Sequence, residues 1–189
     1  MDTVTSEPVK HLITAEEYEA MGASAIFLPD QRLELIEGEI VEMAPIGPPH
    51  ASVVTRLTRV LIMALGETAE VRVQSPVRLS DISEPQPDLV VARSRADFYA
   101  ERHPLADEIL LAVEVSDSTL RWDRSVKTPL YARAGVVELW VVDVNARTVE
   151  VCTGPGQDGY SEVRTIGLDG EIDLCGLDGV VIRVADFLG

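Results

Sequence analysis

Aromatic residues are scarce, at 5% of 189, so any core must be built from Val, Leu, Ile and Ala. There are two cysteines, Cys152 and Cys175, with no CxxC spacing. That excludes a disulfide framework and points to free thiols in a reducing compartment. Long apolar runs are absent: the stretch from Ile109 to Val113 is five residues, whereas a bilayer crossing takes about 20. No membrane span is therefore expected. The opening MDTVTSEPVK carries neither a basic n-region nor an apolar h-region, so no secretory signal is expected and the location implied is cytoplasmic. Basic residues are few, 16 against 32 acidic, for a net charge of −16. That excess keeps a protein in solution and opposes a general affinity for nucleic acid, which rests on Lys and Arg neutralising phosphates. A nucleic-acid function would need a local basic patch or a metal that reverses the sign. The familiar GxxxxGK[ST], GxGxxG, HExxH and GxSxG devices are missing, and His11, His50 and His103 are far apart. P-loop, dinucleotide, zinc-hydrolase and Ser-His chemistries are correspondingly disfavoured.

What remains is 46% hydrophobic and 25% charged, the balance of a globular chain. One domain over 1–189 is expected, with a loose arm at 1–12 and an acidic, β-rich extension at 154–189. Thr14-Ala15-Glu16-Glu17 is a capping box that opens a short helix ending near Gly22. Leu33 to Met43, turning at Glu37-Gly38-Glu39, predicts a hairpin. After the breaker Ile46-Gly47-Pro48-Pro49, a helix runs from about His50 to Leu65, with Val53, Leu57, Val60, Leu61 and Ala64 on one face. Strands are expected over 70–77, 88–92, 108–115, 138–142 and 147–152, and a short helix over 94–101. Residues 121–134 predict a helix bent at Pro129 and closed by Gly135. Gly154 to Gly159 looks like a loop, followed by short strands near 162–166 and 180–184. The pattern is mixed α/β, a central sheet flanked by helices.

Several polar residues stand where apolar ones would serve. Pro87-Asp88 opens a buried strand, and Glu114 sits near the end of the most hydrophobic one, Leu110-Leu111-Ala112-Val113-Glu114-Val115-Ser116. Buried carboxylates are costly unless paired or bound to a cation. Two of them at the ends of neighbouring strands would make a hard oxygen site suited to Mg²⁺. Lys127 lies on the following helix, where its ammonium could position a water for attack on a phosphodiester. Each residue also has a plain structural role open to it: Asp88 as a turn cap, Glu114 as a salt-bridge partner, Lys127 as a solvated helix residue.

The segments Gln86-Pro87-Asp88-Leu89-Val90-Val91, Leu111 to Leu120, Trp122 to Val136 and Glu138-Leu139-Trp140-Val141-Val142-Asp143 together resemble the Uma-two family of the PD-(D/E)XK nuclease superfamily. Glu34-Leu35-Ile36-Glu37-Gly38-Glu39 and Pro48-Pro49-His50-Ala51 are similar to that family's opening segment, so the likeness spans roughly 14–151. It implies a restriction endonuclease-like fold and a metal-dependent endonuclease that cleaves DNA with Mg²⁺ or Mn²⁺. Asp88 and Glu114 match the acidic pair, expected as metal ligands and catalytic residues. The third place of the (D/E)XK element holds Ser116, not lysine, and Lys127 on the next helix is the match for the missing cation. Glu34 and His50 are further candidates for the site, as a metal contact or to orient a water. Arg121, Arg124, Lys127 and Arg133 against Asp123 give a local +3 over thirteen residues. Arg121 and Arg124 are the expected contacts to nucleic acid, weak and salt-sensitive given the acidic bulk. A homodimer would suit cutting of both strands. The alternative is a binding module that keeps the fold without catalysis, which the Ser116 departure and the acidic charge would favour.

Overall fold

The computed structural model describes residues 8–28, 30–177 and 179–189. Among the described residues, five α-helices, two hairpins and a six-stranded sheet form the main elements. The capping box forms as expected. Thr14 accepts from the Glu17 amide while the Glu17 carboxylate accepts from Thr14 N–H, opening α1 (Ala15–Ala23). The hairpin is β1 (Leu33–Ile36) with β2 (Glu39–Glu42), turning at Glu37 and Gly38, both at positive φ. A Cβ at Gly38 would come within 2.5 Å of the Leu12 Cβ. The arm expected at 1–12 is thus tied down at its end: Leu12 lies against the hairpin, Ile13 N–H bonds Gly38 and Lys10 pairs with Glu39. Residues 1–7 lie outside the described residues.

The long helix is α2 (Pro48–Leu65). Pro48 and Pro49 occupy its first turn, where their missing N–H groups cost nothing, and Gly66 ends it. The sheet follows in the order β3 (Ala69–Val73), β4 (Leu89–Arg93), β5 (Ile109–Ser116), β6 (Glu138–Asp143), β7 (Thr148–Gly156), β8 (Gly159–Ile166). All neighbours are antiparallel except β5 and β6. That parallel pair requires a crossover, supplied by α3 (Leu120–Trp122), a π-helical turn (Asp123–Lys127) and α4 (Thr128–Ala134) in succession. Gly135 at φ 84 closes it in the left-handed conformation. The run expected as one helix is broken by a π turn that ends just before Pro129. The proline has no N–H and its ring crowds the carbonyl four residues back, and the chain widens there, with Thr128 N–H reaching Asp123 O.

Alternation along the strands divides the core between the two faces of the sheet. Leu89, Val91, Val113, Val115, Trp140 and Val142 pack against α2 and the C-terminal segment. Val90, Ala92, Ala112, Leu139, Val141 and Cys152 pack against Tyr131 of α4. The C-terminal segment contributes β9 (Glu171–Asp173), β10 (Val181–Arg183) and α5 (Ala185–Leu188), whose Phe187 is fully buried and stacks on Trp140 at 6.3 Å between ring centroids. Three expectations are corrected. Residues 94–101 form turns and not a helix: Phe98 and Tyr99 sit at φ 51 and 59, and Tyr99 OH caps the chain by donating to Arg93 O. The glycine-rich 154–159 is no loop, because β7 and β8 run through it into a tight hairpin at 157–158. The first edge strand ends at Val73 and not at Val77.

Candidate active site

Strand register brings the acidic pair together. Leu89 lies opposite Val113 in the antiparallel β4–β5 ladder, so Asp88 and Glu114 stand at neighbouring strand ends on the α4 face. Both line one small cleft of about 60 Å³, together with Glu34, His50, Asp123 and Lys127. All of these but His50 are buried, which is unusual for charged groups unless they are paired.

The pairing is specific. Lys127 is 1% exposed. Its Nζ donates to Glu34 Oε1 and to Glu114 Oε2, each at 3.1 Å. Glu34 Oε2 is a further ion contact at 3.0 Å, outside hydrogen-bond geometry. The other Glu114 oxygen accepts from Tyr131 OH at 2.7 Å. Asp88 is held differently: Oδ2 accepts from Val115 N–H at 2.9 Å and Oδ1 faces Gln74 Nε2 at 3.3 Å. His50 Nε2 lies 2.9 Å from Asp88 Oδ2. A carboxylate only accepts, so Nε2 carries the proton, and Nδ1 is buried with no partner among the described residues. Lys127 therefore joins Glu114 to the hairpin residue Glu34, while Asp88 ties β4 to β5.

Electrostatics follow from this packing. Burial drives the Glu114 carboxyl well above the ordinary range; Lys127 opposes that, and the charges of Asp123, Glu34 and Asp88 reinforce it. Glu34 is raised for the same first reason and is likewise opposed by Lys127. Burial works against the charge on Lys127, but the carboxylates of Glu114, Glu34 and Asp123 outweigh it and hold the ammonium protonated above the usual lysine value. Five acidic residues line the cleft (Glu34, Asp88, Glu114, Asp117, Asp123) against Arg32 and Lys127. A polyanion could approach only with its charge offset by a cation.

Ser116 lies at the end of β5, buried, and donates to Asp123 Oδ2 at 2.7 Å; Thr119 Oγ1 donates to the same oxygen at 2.6 Å. The position where the motif would carry lysine therefore anchors the π turn whose last residue is Lys127. In the sequence Asp123 counts only as a charge against the local arginines. Its sole signal is an acid four residues before Lys127 on one helical face. Tyr131 carries no signal of its own in the sequence, and its hydroxyl holds Glu114.

The arginines do not gather as a free patch. Arg124 pairs with Glu150 through bonds of 3.0 and 2.6 Å, Arg133 pairs with Glu37, and Lys127 is buried. Arg121 is exposed and has no ion pair among the described residues. Neither Arg121 nor Arg124 lines the cleft. Among the described residues, no three His, Cys, Asp or Glu side chains are grouped to hold a metal ion, and no helix is long and apolar enough to cross a membrane.

No curated protein matches the chain. Among solved structures, a crystal structure of a putative nuclease belonging to DUF820 from Anabaena variabilis superimposes with a TM-score of 0.70. The match covers 93% of this chain and 97% of that one at 17% identity, a likeness of fold, and the fold is restriction endonuclease-like. The family model Uma2, described as "Putative restriction endonuclease", matches residues 15–185. With the acidic strand ends, the crossover lysine and the sheet order in place, the chain belongs to the Uma2 family of nuclease-fold proteins.

Proposed function

We propose that the protein is a metal-dependent endonuclease that hydrolyses phosphodiester bonds of DNA, with Asp88 and Glu114 as ligands of Mg²⁺ or Mn²⁺ and Lys127 as the catalytic cation. The observation that carries the reading is the wholly buried Lys127 ammonium, 3.1 Å from Glu114, in the same cleft as Asp88. A buried lysine between two carboxylates carries a desolvation cost that an apolar trio of the same volume would avoid, which points to a role beyond packing. The donor set fits the ion. Mg²⁺ is commonly held by one or two carboxylates, with waters and substrate phosphate oxygens completing its shell, so a cage of three side chains is not required. When bound, the ion would supply the positive charge that phosphate oxygens need in this acidic cleft and would acidify a bound water.

The remaining work falls to the chain. Asp88, fixed by Val115 N–H, and Glu114, fixed by Tyr131, present carboxylate oxygens without rotamer freedom. Lys127, released from part of its attraction to Glu114 once that carboxylate is engaged, directs a proton of its ammonium toward the attacked phosphate. His50 orients Asp88 from the start of α2, and Glu34 keeps Lys127 in place. DNA binding is expected to be weak and salt-sensitive, with Arg121 as the available phosphate contact and Arg124 contributing only where its pair with Glu150 opens.

The test is calorimetry of Mg²⁺ and Mn²⁺ alongside plasmid nicking, for the wild type, Asp88→Asn and Glu114→Gln. Both variants should lose ion binding, and nicking should fall by about 100-fold or more. Ion binding that neither variant alters would overturn the ligand assignment. DNA binding without nicking under any divalent ion would leave the fold as a binding module.

A further inference from the structure

The sheet has two edges, and the chain treats them differently. Both edge strands carry the triplet Glu-Val-Arg: Glu70-Val71-Arg72 in β3 and Glu162-Val163-Arg164 in β8. On β3 the arginine is committed. Its guanidinium lies 5.5 Å from the Tyr99 ring centroid and donates to Phe98 O, so the 98–99 turn lies along that edge. Most of β3 is at least half-buried. On β8 nothing comparable happens. Residues 161–165 are all exposed, Val163 to 56%, on a strand of eight residues. Arg164 has no ion pair among the described residues, and Glu162 has only a 3.5 Å hydrogen bond from Thr153. No described strand pairs with the outer side of β8.

Open edges of this length are ordinarily blunted by proline, lysine, a bulge or a covering loop, because unpaired N–H and C=O groups template pairing. The β7–β8 ladder keeps one register from Val149–Ile166 to Gly156–Gly159, without a bulge, and β8 contains no proline or lysine. Its charges are arranged to match themselves. When two copies run antiparallel about Val163, Glu162 of each faces Arg164 of the other, Ser161 faces Thr165, and Val163 meets Val163. Glu162 and Arg164 share one face by the period of two, so both ion pairs form on the same side, with the two valines on the other.

We infer that β8 is the seam of a homodimer, in which two copies join edge to edge about a two-fold axis at Val163 and make one continuous sheet. The partner is a second copy of this chain, because a strand with the order acid, valine, base run in reverse satisfies both charges: β8 is such a strand, and β3, which carries the same triplet, has its arginine committed to Tyr99 and Phe98. Such a contact is isologous and closed, so it stops at two copies. The seam is on the far side of β7 and β6 from Asp88, which leaves both clefts open. The inference is independent of the nuclease reading.

Sedimentation velocity on the full chain tests it. The wild type should dimerise at micromolar concentration. Glu162→Arg and Arg164→Glu should each place like charges opposite one another at two points of the seam and weaken association by about tenfold or more. The double variant Glu162→Arg/Arg164→Glu restores complementarity and should restore the dimer. A second measurement does not depend on charge. In a Cys152→Ala/Cys175→Ser background, which removes the thiol opposite residue 163 on β7, Val163→Cys should form an intermolecular disulfide on mild oxidation, because residue 163 faces itself within disulfide reach. Ser161→Cys alone and Thr165→Cys alone should not, whereas mixed together they should. A monomeric wild type, a dimer indifferent to all three charge variants, or cross-linking at 161 alone as efficient as at 163 would each overturn the inference.

Discussion

Replacing Lys127 by methionine would keep the length of the side chain and delete one ammonium from a pocket that excludes water. On an exposed helix face the change would be nearly neutral. Here the lysine is 1% exposed and contacts two carboxylates that are themselves buried. Removing one member of a buried ion pair costs about 3–5 kcal/mol, because the partner is left charged and unsolvated. Glu34 and Glu114 can escape part of that by taking up protons. Burial already holds both above the ordinary glutamate value of 4.5, and Lys127 is the main force opposing it. In the variant both climb further. The native state then binds protons that the unfolded chain has released, so stability falls as pH rises from about 4.5 upward. The loss should be smaller near pH 5 than near pH 8. In a chain of this size each kcal/mol moves the melting temperature by about 2–4 °C, so a drop of roughly 10 °C is expected at pH 8. Thermal melts across that pH range in EDTA, by circular dichroism, would measure it. Adding Glu34→Gln should recover part of the loss. A variant that melts within about 2 °C of the wild type at pH 8, or that loses the same amount at pH 5, would refute the buried triad.

Other outcomes are as definite. Glu84 is buried with Oε2 unpartnered, and burial raises its carboxyl from 4.5 to about 7, helped by Glu19 and opposed by Arg78. Its burden is absent below pH 4.5 and complete above pH 7, so Glu84→Gln should stabilise the protein at pH 8 by up to about 3 kcal/mol and leave it unchanged near pH 4, read from urea midpoints. Asp123→Ala strands the Ser116 and Thr119 hydroxyls and should cost about 1–3 kcal/mol, whereas Asp123→Asn keeps an accepting oxygen and should recover most of it in the same assay. Phe187→Ala should cost about 3–5 kcal/mol in thermal melts, because α5 is held through that ring against Trp140; a loss under about 1 kcal/mol would mean α5 is not docked.

The local elements follow from local chemistry. Thr14 and Glu17 specify the start of α1, the prolines and Gly66 bound α2, and the apolar runs at 109–116 and 138–143 mark buried strands, because capping, backbone restriction and periodicity act over a few residues. The same holds for the suspicion that falls on Asp88, Glu114 and Lys127: charges inside apolar segments are visible without a fold. Where local signals compete, the reading fails. Turn residues at 154–159 extend a hairpin because pairing with the neighbouring strand outweighs their preference for loops, and residues 94–101 stay irregular because Tyr99 is anchored to Arg93. What the tertiary structure alone decides is who meets whom. Lys127 pairs with Glu34, 93 positions away, and not with Asp88, which is bound by Val115 N–H and His50. Asp123 receives Ser116 from the strand end, and the arginines that sum to a positive island in sequence are paired off with Glu150 and Glu37 in space. These contacts join β1, β4, β5 and the crossover helix. Charge cancellation and burial depend on distances that only the packed sheet sets, so no stretch of the chain carries them by itself.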